Sequence, residues 1–122
     1  MMNPALPDPE TTEEVSPEDV AAWLAAGDAA GGPILIDCRE AGELEICRID
    51  GARWIPMGEI PAAVDALREE DGPRGIIISC HHGMRSLRVA RFLRQHGLER
   101  VFSMAGGIDA WSLRIDPAVM RY

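Results

Sequence analysis

Seven consecutive residues, Cys80-His81-His82-Gly83-Met84-Arg85-Ser86, gather a thiol, two imidazoles, a guanidinium and a hydroxyl around one glycine. Such a set suits nucleophilic attack by sulfur, because the thiolate is the reactive form of cysteine and a positive local field favours it. The preceding run Ile76-Ile77-Ile78-Ser79 reads as a buried strand, and the residues from Ser86 to His96 read as a helix that stops at Gly97. A tight loop between a strand and a helix curls its backbone N–H groups around one point, and the helix N-terminus adds partial positive charge there. Cys80 stands at that point. Gly83 lets the backbone bend toward the sulfur with no side chain in the way. A lone cysteine at a strand end is more simply a small buried apolar residue. Here glycine, arginine and serine follow at the spacing a cradle needs, which favours the functional reading.

The other reactive side chains are read more plainly. Cys38, Cys47 and Cys80 make an odd count with no paired spacing, so at least one thiol is expected to be free. Cys38 lies in an apolar strand end and reads as inert core; Cys47 reads as a small buried residue, with a resolving thiol as the alternative. His81 and His82 invite a metal-site reading, but adjacent ligands lack the separated pairs of a structural zinc site. No metal and no cofactor are therefore expected. The two imidazoles are expected to line the mouth of the cradle and, when protonated, to attract an anion.

The formal net charge is -8, with no lysine in the chain. Nucleic acid and anionic membrane surfaces are poor partners for such a molecule. Yet six arginines and one acid, Glu99, fall between Arg74 and Arg100, a local excess consistent with a small anionic ligand or with a solvated helix face. Arg85, Arg88, Arg91 and Arg94 step by three along the helix. Only Arg85 and Arg88 are expected to reach the site.

The elements that must position these residues are those of a layered α/β domain. A chain of 122 residues, 47% hydrophobic and 26% charged, is sized for one compact domain. Residues 1 to 11, with prolines and acids and no periodicity, read as a loosely held acidic leader, leaving 12–122 as the domain. Glu14-Val15 is a short first strand; Ser16 and Pro17 then form a helix start, with Gly27 placed to end that helix. After the Gly31-Gly32-Pro33 turn, Ile34 to Asp37 is a second unbroken apolar run. A short helix near Glu40 to Ile46, a strand at Arg53 to Ile55, a helix from Ile60 to Leu67, a strand at Val101 to Ser103 and a short helix through Ala110-Trp111 complete the alternation. No apolar run approaches membrane-spanning length, and neither a secretory signal nor a transit peptide is visible, so a cytoplasmic location is expected.

Three ordered motifs resemble the rhodanese family over nearly all of Val15 to Trp111. Leu35-Ile36-Asp37-Cys38-Arg39-Glu40, with Glu43 and then Ile49-Asp50-Gly51-Ala52, is similar to the family's first signature; the Cys80 loop is similar to its second, and Gly106-Gly107-Ile108-Asp109-Ala110-Trp111 to its closing segment. The resemblance implies a three-layer domain with a parallel sheet of about five strands flanked by helices. It also implies a sulfurtransferase that carries a persulfide on Cys80. The donor would be thiosulfate or another small anionic sulfane-sulfur compound, and the acceptor cyanide, a thiol or a sulfur-carrier protein. The backbone of His81 to Ser86 would hold the charge, Arg85 would close the loop, and Asp37, Arg39 and Glu43 would brace it from the neighbouring strand end. Cys47-Arg48 replaces a frequent Gly-His, and Asp50 a frequent proline, neither within the cradle. Ile115 to Tyr122 looks like the end of rhodanese domains fused to adenylyltransferases that load sulfur-carrier proteins.

Two other functions fit the same fold. Phosphatase and arsenate reductase relatives have a loop one residue longer, opening a cradle wide enough for a tetrahedral anion; this loop has four residues between Cys80 and Arg85, which suits a single sulfur. A non-catalytic binding module is the third reading, and the intact Cys80 speaks against it.

Overall fold

The computed structural model describes residues 6–26, 32–71 and 74–122. Its strands are β1 (Glu14–Val15), β2 (Ile34–Asp37), β3 (Arg53–Trp54), β4 (Ile76–Ser79) and β5 (Val101–Met104), and its helices are α1 (Pro17–Ala26), α2 (Ala41–Ile46), α3 (Ile60–Asp71), α4 (Met84–Gln95) and α5 (Gly107–Arg114). The sheet order is β1-β5-β4-β2-β3, with every pairing parallel. Parallel neighbours cannot be joined by tight turns, so the chain must cross over through helices. That requirement produces the alternation read from the sequence.

Every residue of β2, β4 and β5 is buried, as expected of strands covered on both faces. Successive side chains point to opposite faces. Ile34, Ile36, Ile76 and Ile78 meet Val64 and Leu67 of α3 and Val89 and Leu93 of α4 on one side. On the other, Leu35, Ile77 and Phe102 meet Val20 and Trp23 of α1 and Ile108 and Trp111 of α5. The result is the expected three-layer α/β sandwich, with β4 at its centre.

Element ends differ from the sequence reading for local reasons. Ser16 Oγ accepts the Asp19 N–H at 3.1 Å and caps α1 as expected. Gly27 and Gly31 lie outside the described residues. Helix α4 starts at Met84 rather than Ser86, because Gly83, at φ 100°, turns the chain straight into the helix. Helix α3 continues past Leu67 through an exposed polar turn that carries no apolar period to announce it. Residues 6–11, the described part of the expected leader, make contacts with the domain. Leu6 packs against the α1–α5 side of the core. Arg94 donates to the carbonyls of Pro9 at 2.8 Å and Thr12 at 2.9 Å.

Candidate active site

Cys80 leaves the carboxyl end of the central strand and is 1% exposed. Its Sγ accepts the backbone N–H of Gly83 at 3.1 Å and of Ser86 at 3.3 Å, and lies 3.3 Å from Ser86 Oγ. The loop therefore curls around the sulfur as the sequence suggested, with two of the amides between His81 and Ser86 bonded to it. Ser86 Oγ is in turn 2.7 Å from Ser103 Oγ on β5, so the hydroxyl beside the sulfur is fixed from the neighbouring strand. Gly83 carries the positive φ that the turn demands, and a Cβ there would press on the Gly106 amide nitrogen at 3.2 Å.

The back of the loop is pinned by the start of α5. Ile108 N–H donates to the Cys80 carbonyl at 2.8 Å and Asp109 N–H to the His81 carbonyl at 3.1 Å. Because a trans peptide sets C=O and N–H on opposite sides, these bonds turn the amides of His81 and His82 away from α5. Gly107 makes the approach possible. A Cβ on it would collide with the carbonyl oxygens of both Cys80 and His81. Gly107, Ile108, Asp109 and Ser103 are thus site residues that the sequence reading did not assign; the Gly106-Gly107 pair was the available signal.

Arg85, at the far end of the loop, forms a two-pronged ion pair with Glu43: Nη1 to Oε2 and Nη2 to Oε1 are both 2.7 Å. Glu43 also accepts the Glu40 N–H at 3.0 Å and the Tyr122 hydroxyl at 2.8 Å. The Arg85 hydrogen bonds, opposed by partial burial, hold the Glu43 carboxyl at about 2. The Arg85 cation is thus largely balanced by Glu43.

Arg39 is fully buried. Its Nε and Nη2 clasp the Asp37 carboxylate, with Nη2–Oδ2 at 2.7 Å, while Nη2 reaches the Cys47 carbonyl at 2.8 Å and Nη1 reaches Tyr122 Oη at 2.9 Å. Burial opposes its charge, and the hydrogen bonds to Asp37 and Tyr122 outweigh that cost. Asp37 and Arg39 form a bonded pair at the corner after β2, and Arg39 also meets the Glu43 carbonyl at 3.3 Å.

The two histidine rings lie against each other, their centroids 3.9 Å apart. His82 is exposed and its Nδ1 is 3.9 Å from Asp109 Oδ2. His81 is occupied: its ring stacks on Tyr122 at 3.7 Å, and its Nε2 bonds the Tyr122 main-chain oxygen at 2.7 Å. Nothing in the sequence reading anticipated Tyr122 here. Of the arginine series, Arg91 pairs with Glu13 and Arg94 holds backbone carbonyls, so the expected solvated positive flank is largely taken up by structural partners. Cys38 sits in the α3–α4 side of the core with Cys80. Burial first, then the nearby Cys80, pushes its thiol up to about 12. Cys47 is half-buried on the opposite side of the sheet, packed against the α1–α5 cluster. Among the described residues no group of His, Cys, Asp or Glu is arranged to hold a metal ion, and no helix is long and apolar enough to cross a membrane.

The family model for the rhodanese-like domain matches residues 16–114. This chain belongs to the rhodanese-like domain family. The rhodanese-like domain is 30% identical over 102 residues to the thiosulfate sulfurtransferase GlpE of Glaesserella parasuis, covering 84% of this chain and 88% of GlpE. It is 34% identical over 89 residues to the chloroplastic Rhodanese-like/PpiC domain-containing protein 12 of Arabidopsis thaliana, where it spans 72% of this chain and 30% of that protein. Among solved structures, the human single-domain sulfurtransferase TSTD1 superposes with a TM-score of 0.66 at 26% identity, over 84% of this chain and 97% of TSTD1.

Proposed function

We propose that this rhodanese-like domain is a sulfurtransferase that carries sulfane sulfur as a Cys80 persulfide. The observation that carries the reading is the pair of N–H donors, from Gly83 and Ser86, aimed at Cys80 Sγ. Donors fixed in a water-poor pocket stabilise negative charge without reorganising, and both the thiolate and the persulfide are anions. The thiolate attacks the outer sulfur of thiosulfate or a like donor; an S–S bond forms to Cys80, the bond to the sulfonate breaks, and sulfite leaves with the electron pair. A thiol or cyanide then attacks the outer sulfur, and Cys80 departs as thiolate. Arg85 and Glu43 hold the loop in place, with Asp37 and Arg39 bracing them from behind. GlpE and TSTD1, both named sulfurtransferases, support the same reading.

Intact-mass analysis after incubation with thiosulfate tests it. The wild-type chain is expected to gain one sulfur, about 32 Da, and Cys80→Ser to gain none, because the nucleophile is the covalent carrier. An equal gain in both proteins would transfer the chemistry to another cysteine, and no gain in either would remove it.

A further inference from the structure

We infer that Tyr122 is a specificity-determining residue of the Cys80 pocket: its ring walls the His81 side of the opening, so small or slender sulfur acceptors reach Cys80 and bulky ones do not. The inference rests on the reading of Cys80 as the reactive sulfur.

Cys80 is 1% exposed, so a partner must enter past the loop's own side chains. Tyr122 engages both ends of that loop. Its ring lies flat on His81, directly after Cys80, with 3° between the planes. Its hydroxyl donates at 2.8 Å to Glu43, the carboxylate clasped by Arg85 at the other end.

The ring is also fixed. Arg39 Nη1 donates to its hydroxyl at 2.9 Å, and its main-chain oxygen takes the His81 Nε2 bond at 2.7 Å. The neighbouring Arg121 pairs with Asp109 at 2.9 Å, and Val119 packs against the α1–α5 side of the core. A ring held at its face, its hydroxyl and its backbone is a wall. The Met84 side of the loop differs, since Met84 is 68% exposed and an unbranched thioether side chain rearranges readily. With the Tyr122 side fixed, a wide group enters only by displacing side chains on the Met84 side, which slows it relative to a slender one.

The test compares alkylation of Cys80 in the wild-type chain, Tyr122→Phe and Tyr122→Ala, using iodoacetamide as a small probe and N-(1-pyrenyl)maleimide as a bulky one. Peptide mass spectrometry separates Cys80 from Cys38 and Cys47. Because fit in a pocket discriminates by one to two orders of magnitude, Tyr122→Ala is expected to accelerate the bulky reagent about tenfold or more and the small one less than about threefold. Tyr122→Phe keeps the ring stacked on His81 but loses its hydroxyl bonds, and is expected to fall between wild type and Tyr122→Ala, nearer the wild-type ratio. In turnover with thiosulfate, Tyr122→Ala is expected to raise the ratio of kcat/KM for glutathione to that for cyanide. Equal acceleration of both reagents, or of neither, in a folded Tyr122→Ala protein overturns the inference. If that variant does not fold, Tyr122→Leu replaces it, with an intermediate shift in the alkylation ratio expected and an unchanged ratio overturning the inference. Alkylation needs no sulfur transfer, so a chain that shows the size effect without accepting sulfur from thiosulfate would sink the proposed activity and leave the wall standing.

Discussion

Glu43 on α2 and Arg85 on α4, 42 positions apart in the chain, face each other through two 2.7 Å hydrogen bonds. This pair ties the corner after β2 to the loop after β4, so the geometry of the sulfur cradle depends on a residue outside it. Charge-assisted, two-pronged pairs of this kind are among the stronger polar contacts in proteins.

The pair makes stability depend on acidity in a defined window. Glu43 titrates at about 2 in the fold against an ordinary 4.5, so the folded state binds its proton less tightly than the unfolded chain does. Its stabilisation is therefore fully present above about pH 4.5 and lost as pH falls through about 2. Arg85 is 33% exposed, so screening reduces the effect. On the order of 1–2 kcal/mol is expected at pH 7 rather than the roughly 3 kcal/mol of the unscreened shift. Denaturant melts of wild type and Glu43→Gln should differ by that amount at pH 7, by about half of it near pH 3, and converge only toward pH 2. A constant gap across the range would show that the loss is one of packing, not charge.

Two glycines separate a positional requirement from a general one. Gly107 has φ +59°, and a Cβ there meets the carbonyl oxygens of Cys80 and His81; Gly42 in α2 has nothing within 4 Å. Gly107→Ala must strain its backbone or push the loop aside, which is expected to cost about 1–3 kcal/mol and to slow persulfide formation. Gly42→Ala is expected to leave sulfur loading unchanged and to raise stability by up to about 1 kcal/mol, since alanine suits a helix better than glycine. Thermal melts and thiosulfate mass shifts on both variants check the contrast. Unimpaired loading in Gly107→Ala would mean that α5 does not shape the loop.

These residues also mark what was legible in advance. β2 and β4 are unbroken apolar runs, and covered parallel strands leave that trace in any sequence. Cys80 with its glycine, arginine and serine was legible because a loop that wraps one atom constrains neighbours in the chain. The partners of that loop were not. Glu43 was expected only as a general brace, and its pairing with Arg85 follows from β2 and β4 being parallel neighbours whose carboxyl ends lie side by side, which no local pattern encodes. Tyr122 reaches His81 across 41 positions by way of a turn at Asp116 to Val119, and its sequence surroundings carry no chemical signal. Arg94 looked like one member of a solvated series, and only the folded path of residues 9–12 turns it into a backbone clamp.

Cys38 and Cys80 end adjacent parallel strands, where Asp37 stands opposite Ser79, and both side chains enter the same core cluster. Their environments differ in what surrounds the sulfur: Cys80 has amide donors, whereas burial pushes the Cys38 thiol up to about 12. At neutral pH Cys38 is therefore a protonated core residue. Cys38→Ala is expected to retain thiosulfate-dependent loading and to lose about 1 kcal/mol through the missing buried atom. Its raised value also has an alkaline signature. An unfolded thiol ionises near the ordinary 9 while the folded one resists until about 12, so stability is full below about pH 9 and declines as pH rises through 12. Cys38→Ala lacks that group, so its urea midpoint should fall less than that of wild type between pH 8 and 10. Parallel declines would place the alkaline loss in another group, and a Cys38→Ala protein that folds but accepts no sulfur would assign Cys38 a part in the chemistry.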